Sequence, residues 1–480
     1  MNRIRFNANK YKNMSVPAKA AVWYSFCNIL QKGISFIVVP IYVRLLTIAE
    51  YGQYTVFQSW RDVLIIVATL NLYCGVFTKA MVDYKDDRDR YTSCMQGLST
   101  VVTLALLVIY LMASNFWSSL LEMDFITIIL LFVYYVFYPA FLFWSVRQRV
   151  EYKYKRMIIV TLMTSILTPV LSIILLKVTS LGENAVIWGF LFVQIVVGAI
   201  IYFYNFVRGK CFYYKDYWEH ALKFNIPLIP HYLSLIILGQ ADRIMIKDIC
   251  GADKAGIYSL AYSVSLLMNV FIAAINGSLV PWIYEKLKHK DYKPISTVSR
   301  NLCILVGIMT LGAILISPEI IHILGTEEYM EAIWVVPVVS LSAYYTFCYG
   351  LFSNIEFYFN ATGYVMVAST AGAALNIVLN ALFIPIYGFI AAAYTTLVCY
   401  ILFMVMHYLF MRKICKTQIE GEVVYDNKFI AVSSIILFAL MFACLLIYRI
   451  TAVRYCIIAL LVMIAIIYRS KIGTLIKSLK

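Results

Sequence analysis

Stretches of about twenty residues with few or no charged side chains recur along almost the whole chain. Short segments rich in Lys, Arg, Asp and Glu separate them. A hydrocarbon layer about 30 Å thick is crossed by roughly 20 apolar residues in a helix. Lipid offers no hydrogen-bond partners, so each crossing segment must satisfy its own backbone. The pattern therefore predicts an all-α polytopic membrane protein with about fourteen transmembrane helices. They are expected at 20–43, 53–78, 95–117, 125–146, 157–178, 185–207, 224–246, 257–284, 301–318, 332–355, 364–384, 387–411, 429–448 and 452–468. The bulk figures agree: 62% of the 480 residues are hydrophobic and mean hydropathy is +0.82, above the roughly one-half apolar content of soluble domains. No length remains for a large soluble domain.

Charge placement orients this array. Lys and Arg number 40 against 25 Asp and Glu. With the N-terminus in the cytoplasm, the inner segments hold 31 of the 40 cations and the outer segments six. That bias obeys the positive-inside rule and predicts both termini cytoplasmic. It also accounts for the net charge of +15 without nucleic acid as a partner. The basic N-terminus leads into a full-length span with no small-residue cleavage site before it, so no cleavable signal peptide is expected. The 11 cysteines form no C-x-x-C and no His/Cys cluster. They read as small apolar residues, with neither a disulfide framework nor a metal site.

The three remaining cations, Lys32, Arg61 and Arg243, lie inside predicted spans. A charge at bilayer depth costs about 3 kcal/mol on insertion scales and marks a bundle interior or watery cavity. Three such cations suit an anion, and a guanidinium can hold two phosphate oxygens at once. The competing reading pairs them with carboxylates on other helices. Neighbours on a helix do not face each other, so Arg61 with Asp62 and Asp242 with Arg243 are not expected as internal pairs. Asp62 and Asp242 are candidates for ion coupling or simple counter-ions. Pro227 and Pro230, opening the seventh span, are hinge candidates. His231, Glu356 and His407 read as packed polar residues in or near spans.

An internal repeat divides the chain. Gly52-Gln53-Tyr54-Thr55-Val56 matches Gly256-Ile257-Tyr258-Ser259-Leu260 as G-x-Y-[ST]-[VL], 204 positions later, and Gly182 matches Gly388 at an offset of 206. Six spans separate each pair, an even number, so the copies run parallel. Two six-helix lobes are expected at 1–210 and 211–415, with two additional helices and a tail at 416–480.

The motifs bear on function. Leu375-Asn376-Ile377-Val378-Leu379-Asn380-Ala381-Leu382-Phe383-Ile384-Pro385-Ile386-Tyr387-Gly388, continuing to Ala391-Ala392-Ala393-Tyr394-Thr395, resembles the N-x3-N-x3-IP-x-YG…GAA-x-AT pattern of the polysaccharide-transport (Wzx-type) family. That family belongs to the multidrug/oligosaccharidyl-lipid/polysaccharide exporter superfamily. Asp242-Arg243-Ile244 with Gly256-Ile257-Tyr258-Ser259 is similar to its DR…G-x-Y-S segment, and Leu45-Leu46 through Glu50-Tyr51-Gly52-Gln53-Tyr54 to its first outer loop. Ala391 and Tyr394 depart from the pattern. The resemblance implies a flippase in the bacterial cytoplasmic membrane. Its substrate would be undecaprenyl-pyrophosphate-linked oligosaccharide repeat units for capsule, O-antigen or exopolysaccharide. The implied mechanism is alternating access, without a cofactor but driven by an H+ or Na+ gradient, alongside a polymerase and chain-length machinery. Two rivals are an ion-coupled drug or metabolite antiporter of the same superfamily and a membrane glycosyltransferase or polymerase. Asp87-Arg88-Asp89 forms D-x-D but sits in a short charged loop, and no P-loop motif is present.

Overall fold

A computed structural model describes residues 14–467. Among these residues there are helices and no strands, in the order α1 (Val16–Leu45), α2 (Ile48–Thr69), α3 (Val76–Asp83), α4 (Arg88–Met112), α5 (Ser114–Leu121), α6 (Phe125–Val150), α7 (Tyr154–Val178), α8 (Glu183–Gly209) and α9 (Lys215–Asn225). A 3-10 turn at Ile226–Leu228 leads into α10 (Ile229–Cys250), α11 (Ala252–Lys288), α12 (Tyr292–Leu315) and α13 (Ser317–Leu324). A second 3-10 segment, Glu327–Trp334, precedes α14 (Val336–Tyr358), α15 (Thr362–Tyr387), α16 (Ile390–Gln418), α17 (Asn427–Ile447) and α18 (Thr451–Ile467).

Eleven of the helical segments are long and apolar enough to cross a membrane, and twelve if the bent pair Glu327–Trp334 and α14 counts as one span. Each expected span finds a helix, but α2 and α18 fall outside those twelve. α2 carries Glu50, Arg61 and Asp62, and α18 is short over its described part.

The ends of the helices follow local chemistry. Thr47 and Glu50 form a reciprocal capping box at α2: the Glu50 amide donates to Thr47 Oγ1 at 3.2 Å and the Thr47 amide to Glu50 Oε2 at 2.8 Å. Asp124 caps α6 by accepting from the Thr127 amide at 2.6 Å. Several expected spans are interrupted. The second breaks after Thr69, where Leu70 and Asn71 take left-handed backbone angles. Asn225 Nδ2 then donates to the carbonyls of Leu70 and Asn71, at 3.0 and 2.9 Å, satisfying groups that the break exposes. The third ends at Ala113 and is followed by the short α5. The tenth starts with a 46° bend between Trp334 and Val336.

The residues pack into two units. The first comprises the described part of Met1–Val38 with Trp60–Leu233; the second comprises Val39–Ser59 with the described part of Ser234–Lys480. In the first, α6 and α7 both pack along α8; in the second, α14 and α15 both pack along α16. The division differs from the expected lobes at 1–210 and 211–415. The hairpin 39–59, from the first copy of the repeat, belongs to the second unit, and so do the helices expected as additions after 416. α17 packs on α12 and α14, with Tyr345 Oη donating to the Ser434 carbonyl at 3.2 Å.

Candidate functional site

In the first unit, α2 carries Arg61 into an aromatic wall. Its guanidinium carbon lies 4.7 Å from the Phe190 ring centroid of α8, a cation–π contact. Tyr134 and Tyr138 of α6 stack with centroids 4.7 Å apart, and Tyr134 lies 5.8 Å from Phe190. Tyr135 Oη donates to the Arg61 carbonyl at 2.9 Å. Arg61 Nε and Nη2 donate to Asp62 Oδ1 at 3.0 and 2.6 Å. This corrects the expectation that adjacent residues would not pair. The backbone does point the two Cβ atoms apart, but the long arginine stem bends back far enough to close the gap. Lys32 is exposed on α1, with no ion pair to a described carboxylate.

In the second unit, Asp242 of α10 is 1% exposed and fully engaged. Its Oδ2 accepts from Tyr258 Oη at 2.6 Å and Thr396 Oγ1 at 2.7 Å; its Oδ1 accepts from Asn380 Nδ2 at 2.7 Å. Asn376 Nδ2 donates to Thr396 Oγ1 at 3.0 Å, and Thr395 Oγ1 donates to Asn380 Oδ1. The D-R, G-x-Y-S and N-x3-N motifs are thus one hydrogen-bond network drawn from α10, α11, α15 and α16. The four-residue spacing of Asn376 and Asn380 sets both on one face of α15. Arg243 does not pair with Asp242, as expected of neighbours. Its Nη1 donates to the Gly239 carbonyl at 2.9 Å and Gln240 Oε1 at 2.8 Å, and its guanidinium carbon lies 4.5 Å from the Tyr262 ring centroid.

The two copies of the repeat motif touch each other inside the second unit. A Cβ on Gly52 would stand 1.9 Å from the Ala252 carbonyl oxygen, and one on Gly256 would stand 2.6 Å from the Ile48 carbonyl oxygen. Ile48 and Ala252 are themselves 204 positions apart. Ser259 Oγ donates to Thr55 Oγ1 at 2.9 Å, again a pair at that offset. The contact is reciprocal: each glycine lets the start of the opposite helix approach to backbone distance, as small residues do between membrane helices. Arg44 Nη2 anchors the hairpin by donating to the Ile323 carbonyl at 2.7 Å.

Lys32 and Arg61 belong to the first unit and Arg243 to the second. Pro227 lies in the 3-10 turn before α10 and Pro230 opens that helix; the chain enters the second unit at Ser234, four residues beyond Pro230. Two contacts escaped the sequence. Glu356 and His407, each read as a packed polar residue, form a buried pair with Nδ1 2.8 Å from Oε1. Cys94 and Cys211 form a disulfide with Cα atoms 5.4 Å apart. The reading of every cysteine as unpaired fails for these two, because the segment after α8 folds back onto the start of α4. The other nine cysteines are free.

At the end predicted to face the cytoplasm, Asp89 pairs with Arg147 and Arg208, and Asp87 accepts from Tyr217 Oη. Burial raises the Glu151 carboxyl, but hydrogen bonds from Lys153 and Arg147 outweigh it and leave the group below its ordinary range.

A helical membrane fold with this motif network has relatives. Residues 18–287, more than half the chain, match the family model described as "Polysaccharide biosynthesis protein", and the chain belongs to that family. The amylovoran biosynthesis protein AmsL of Erwinia amylovora is 25% identical over 233 residues, 45% of this chain and 60% of that protein. Among solved structures, the lipid II flippase MurJ in an inward closed conformation superposes with a TM-score of 0.70 at 15% identity, covering 94% of this chain and all of that one. An inward-facing multidrug resistance MATE family transporter of the MOP superfamily gives 0.62 at 13% identity, covering 81% and 96%. At such identities these two structures speak to the fold alone.

Proposed function

We propose that this chain is a flippase for lipid-linked oligosaccharide repeat units, moving them from the inner to the outer leaflet for assembly of a surface polysaccharide. The family and a fold shared with a lipid II flippase support that class. The observation that carries the reading is Arg243. It is a guanidinium inside a membrane helix whose described partners are all neutral: a carbonyl, an amide oxygen and a tyrosine ring. Such a group has no described ion pair competing with an incoming anion. Arg61, which is paired with Asp62, and the exposed Lys32 are the other cationic side chains expected at such a site. A pyrophosphate-linked undecaprenyl carrier fits these cations, with its isoprenoid tail remaining in lipid. Asp242 is the coupling candidate for H+ or Na+, with neutral oxygens and amides around it. Pro227 and Pro230 would bend where the chain passes between units. On this reading both termini lie in the cytoplasm, and a polymerase takes the product.

A drug or metabolite antiporter of the same superfamily is the alternative, favoured by the one buried carboxylate of the network and by the MATE-like fold. Cationic rather than acidic side chains at the other positions weigh against it. The proposed activity is transport rather than bond making.

The test is complementation of a deletion strain with wild-type, Arg61→Ala or Arg243→Ala protein at matched membrane levels. Surface polymer should fall at least tenfold in each variant, with lipid-linked repeat units accumulating on the inner leaflet. Unchanged polymer in both variants removes these arginines as anion ligands. Unchanged polymer in the deletion strain itself, with no second flippase, favours the antiporter.

A further inference from the structure

We propose that Glu356 and His407 form a proton-binding site of the second unit, separate from the Asp242 network, that holds one exchangeable proton and releases it when α14 and α16 part. The proposal rests on reading the chain as an ion-coupled transporter and assigns the proton a second residence within it.

Four observations build the site. Both side chains are almost completely buried, at 0% and 1% exposure. His407 Nδ1 lies 2.8 and 3.0 Å from the two Glu356 oxygens. His407 Nε2 is buried with no hydrogen-bond partner among the described residues. The imidazole is caged by aromatic rings: Tyr349 stacks on it at 5.4 Å and Phe403 meets it edge-on at 4.5 Å. Among the described residues, no other salt bridge reaches the pair. Of the groups in reach, only His407 acts electrostatically on Glu356. Arg412 and Lys413, further along α16, lie over the rings of Tyr408 and Tyr364 instead, and α14 faces the pair with Tyr349.

In a dry cage the proton count follows from charge. With one shared proton the pair is neutral overall, as imidazolium with carboxylate or as imidazole with carboxylic acid. Taking that proton away strands a lone carboxylate out of water, and adding another strands a lone cation; both are strongly disfavoured. Water reaching Nε2 changes this. The Nε2–H bond of the imidazolium breaks, an O–H bond forms on the water to give hydronium, and the neutral ring keeps Nδ1–H donating to the now solvated Glu356 carboxylate. The sealed arrangement binds more protons than the opened one, so rising pH favours opening and falling pH favours closure.

The experiment is amide hydrogen exchange on the purified full-length protein in lipid vesicles between pH 6 and 9, with each rate divided by its intrinsic value. In the wild type, exchange along the last turns of α14 and the facing turns of α16 should rise at least tenfold with pH. Glu356→Gln, which keeps an acceptor for Nδ1–H, and His407→Gln should flatten that rise. A flat wild-type profile overturns the proposal whatever the variants do, and an unchanged rise in well-folded variants does so too. Flipping of lipid-linked oligosaccharide is measured in the same vesicles. Loss of flipping with an intact pH response would sink the flippase reading and leave the proton site standing; flipping with no pH response would do the reverse.

Discussion

A carboxylate as deeply buried as Asp242 persists only where hydrogen bonds from the protein replace those of water. Hydrogen bonds to charged groups contribute about 1.5–3 kcal/mol each, and an orphaned partner costs a similar amount. Tyr258→Phe removes the donor at 2.6 Å and should lower stability by about 1–3 kcal/mol, read as a drop in thermal midpoint in detergent. Asp242→Asn keeps the shape while deleting the charge. If this residue carries the coupling ion, the variant should fold, transport at least tenfold more slowly and stop responding to the imposed gradient; retained coupling would make Asp242 purely structural. The sequence displayed most of this network as motif letters, Thr396 excepted, yet not their convergence. Helical period says which residues share a face, whereas Asp242 meets Asn380 and Thr396 across separations of 138 and 154 residues. For the same reason nothing in the sequence paired Glu356 with His407. Arg61 and Asp62 erred the other way: the backbone rule was right about Cβ directions and silent about the reach of an arginine.

At the scale of the element, the contact between the starts of α2 and α11 leaves its two glycines the least room of the described glycines in the second unit. Neither glycine has room for a methyl group, because the obstacle is the opposite backbone rather than a movable side chain. Gly52→Ala or Gly256→Ala should destabilise the protein by about 1–3 kcal/mol, the usual cost of overpacking. Because the contact is reciprocal, the double variant should cost less than the sum of the singles, which a double-mutant cycle on thermal stability would measure. The repeat itself could be read from spacing alone, since nearly equal offsets at equivalent helix starts need no structure to be seen. That its copies would pack against each other could not. The break at Leu70–Asn71 was hidden as well. Apolar residues continue through it, and the side chain that stabilises it, Asn225, stands 155 and 154 positions away.

For the whole molecule, α17 is part of the second unit's core rather than an appendage, and α18 belongs to the same unit. Tyr344 Oη lies 2.9 Å from Ser433 Oγ, and Met441 is wholly buried. Deleting residues from 426 onward should therefore abolish a monodisperse peak in detergent size-exclusion rather than merely reduce transport; a stable truncated protein would refute this. The helical class was plain in the sequence because lipid permits little else. The partition into units was not, because linear repeats suggest consecutive lobes while the chain changes unit at 38/39, 59/60 and 233/234. That exchanged hairpin has a consequence for biogenesis. Residues 39–59 emerge early, but the helix they pack against begins 204 positions after α2. At roughly 5–20 residues per second, the first hairpin waits about 10–40 s in the bilayer with its glycine face uncovered. Nascent chains of this protein must therefore be held by an insertase or chaperone, or by lipid itself, until the second half of the sequence arrives.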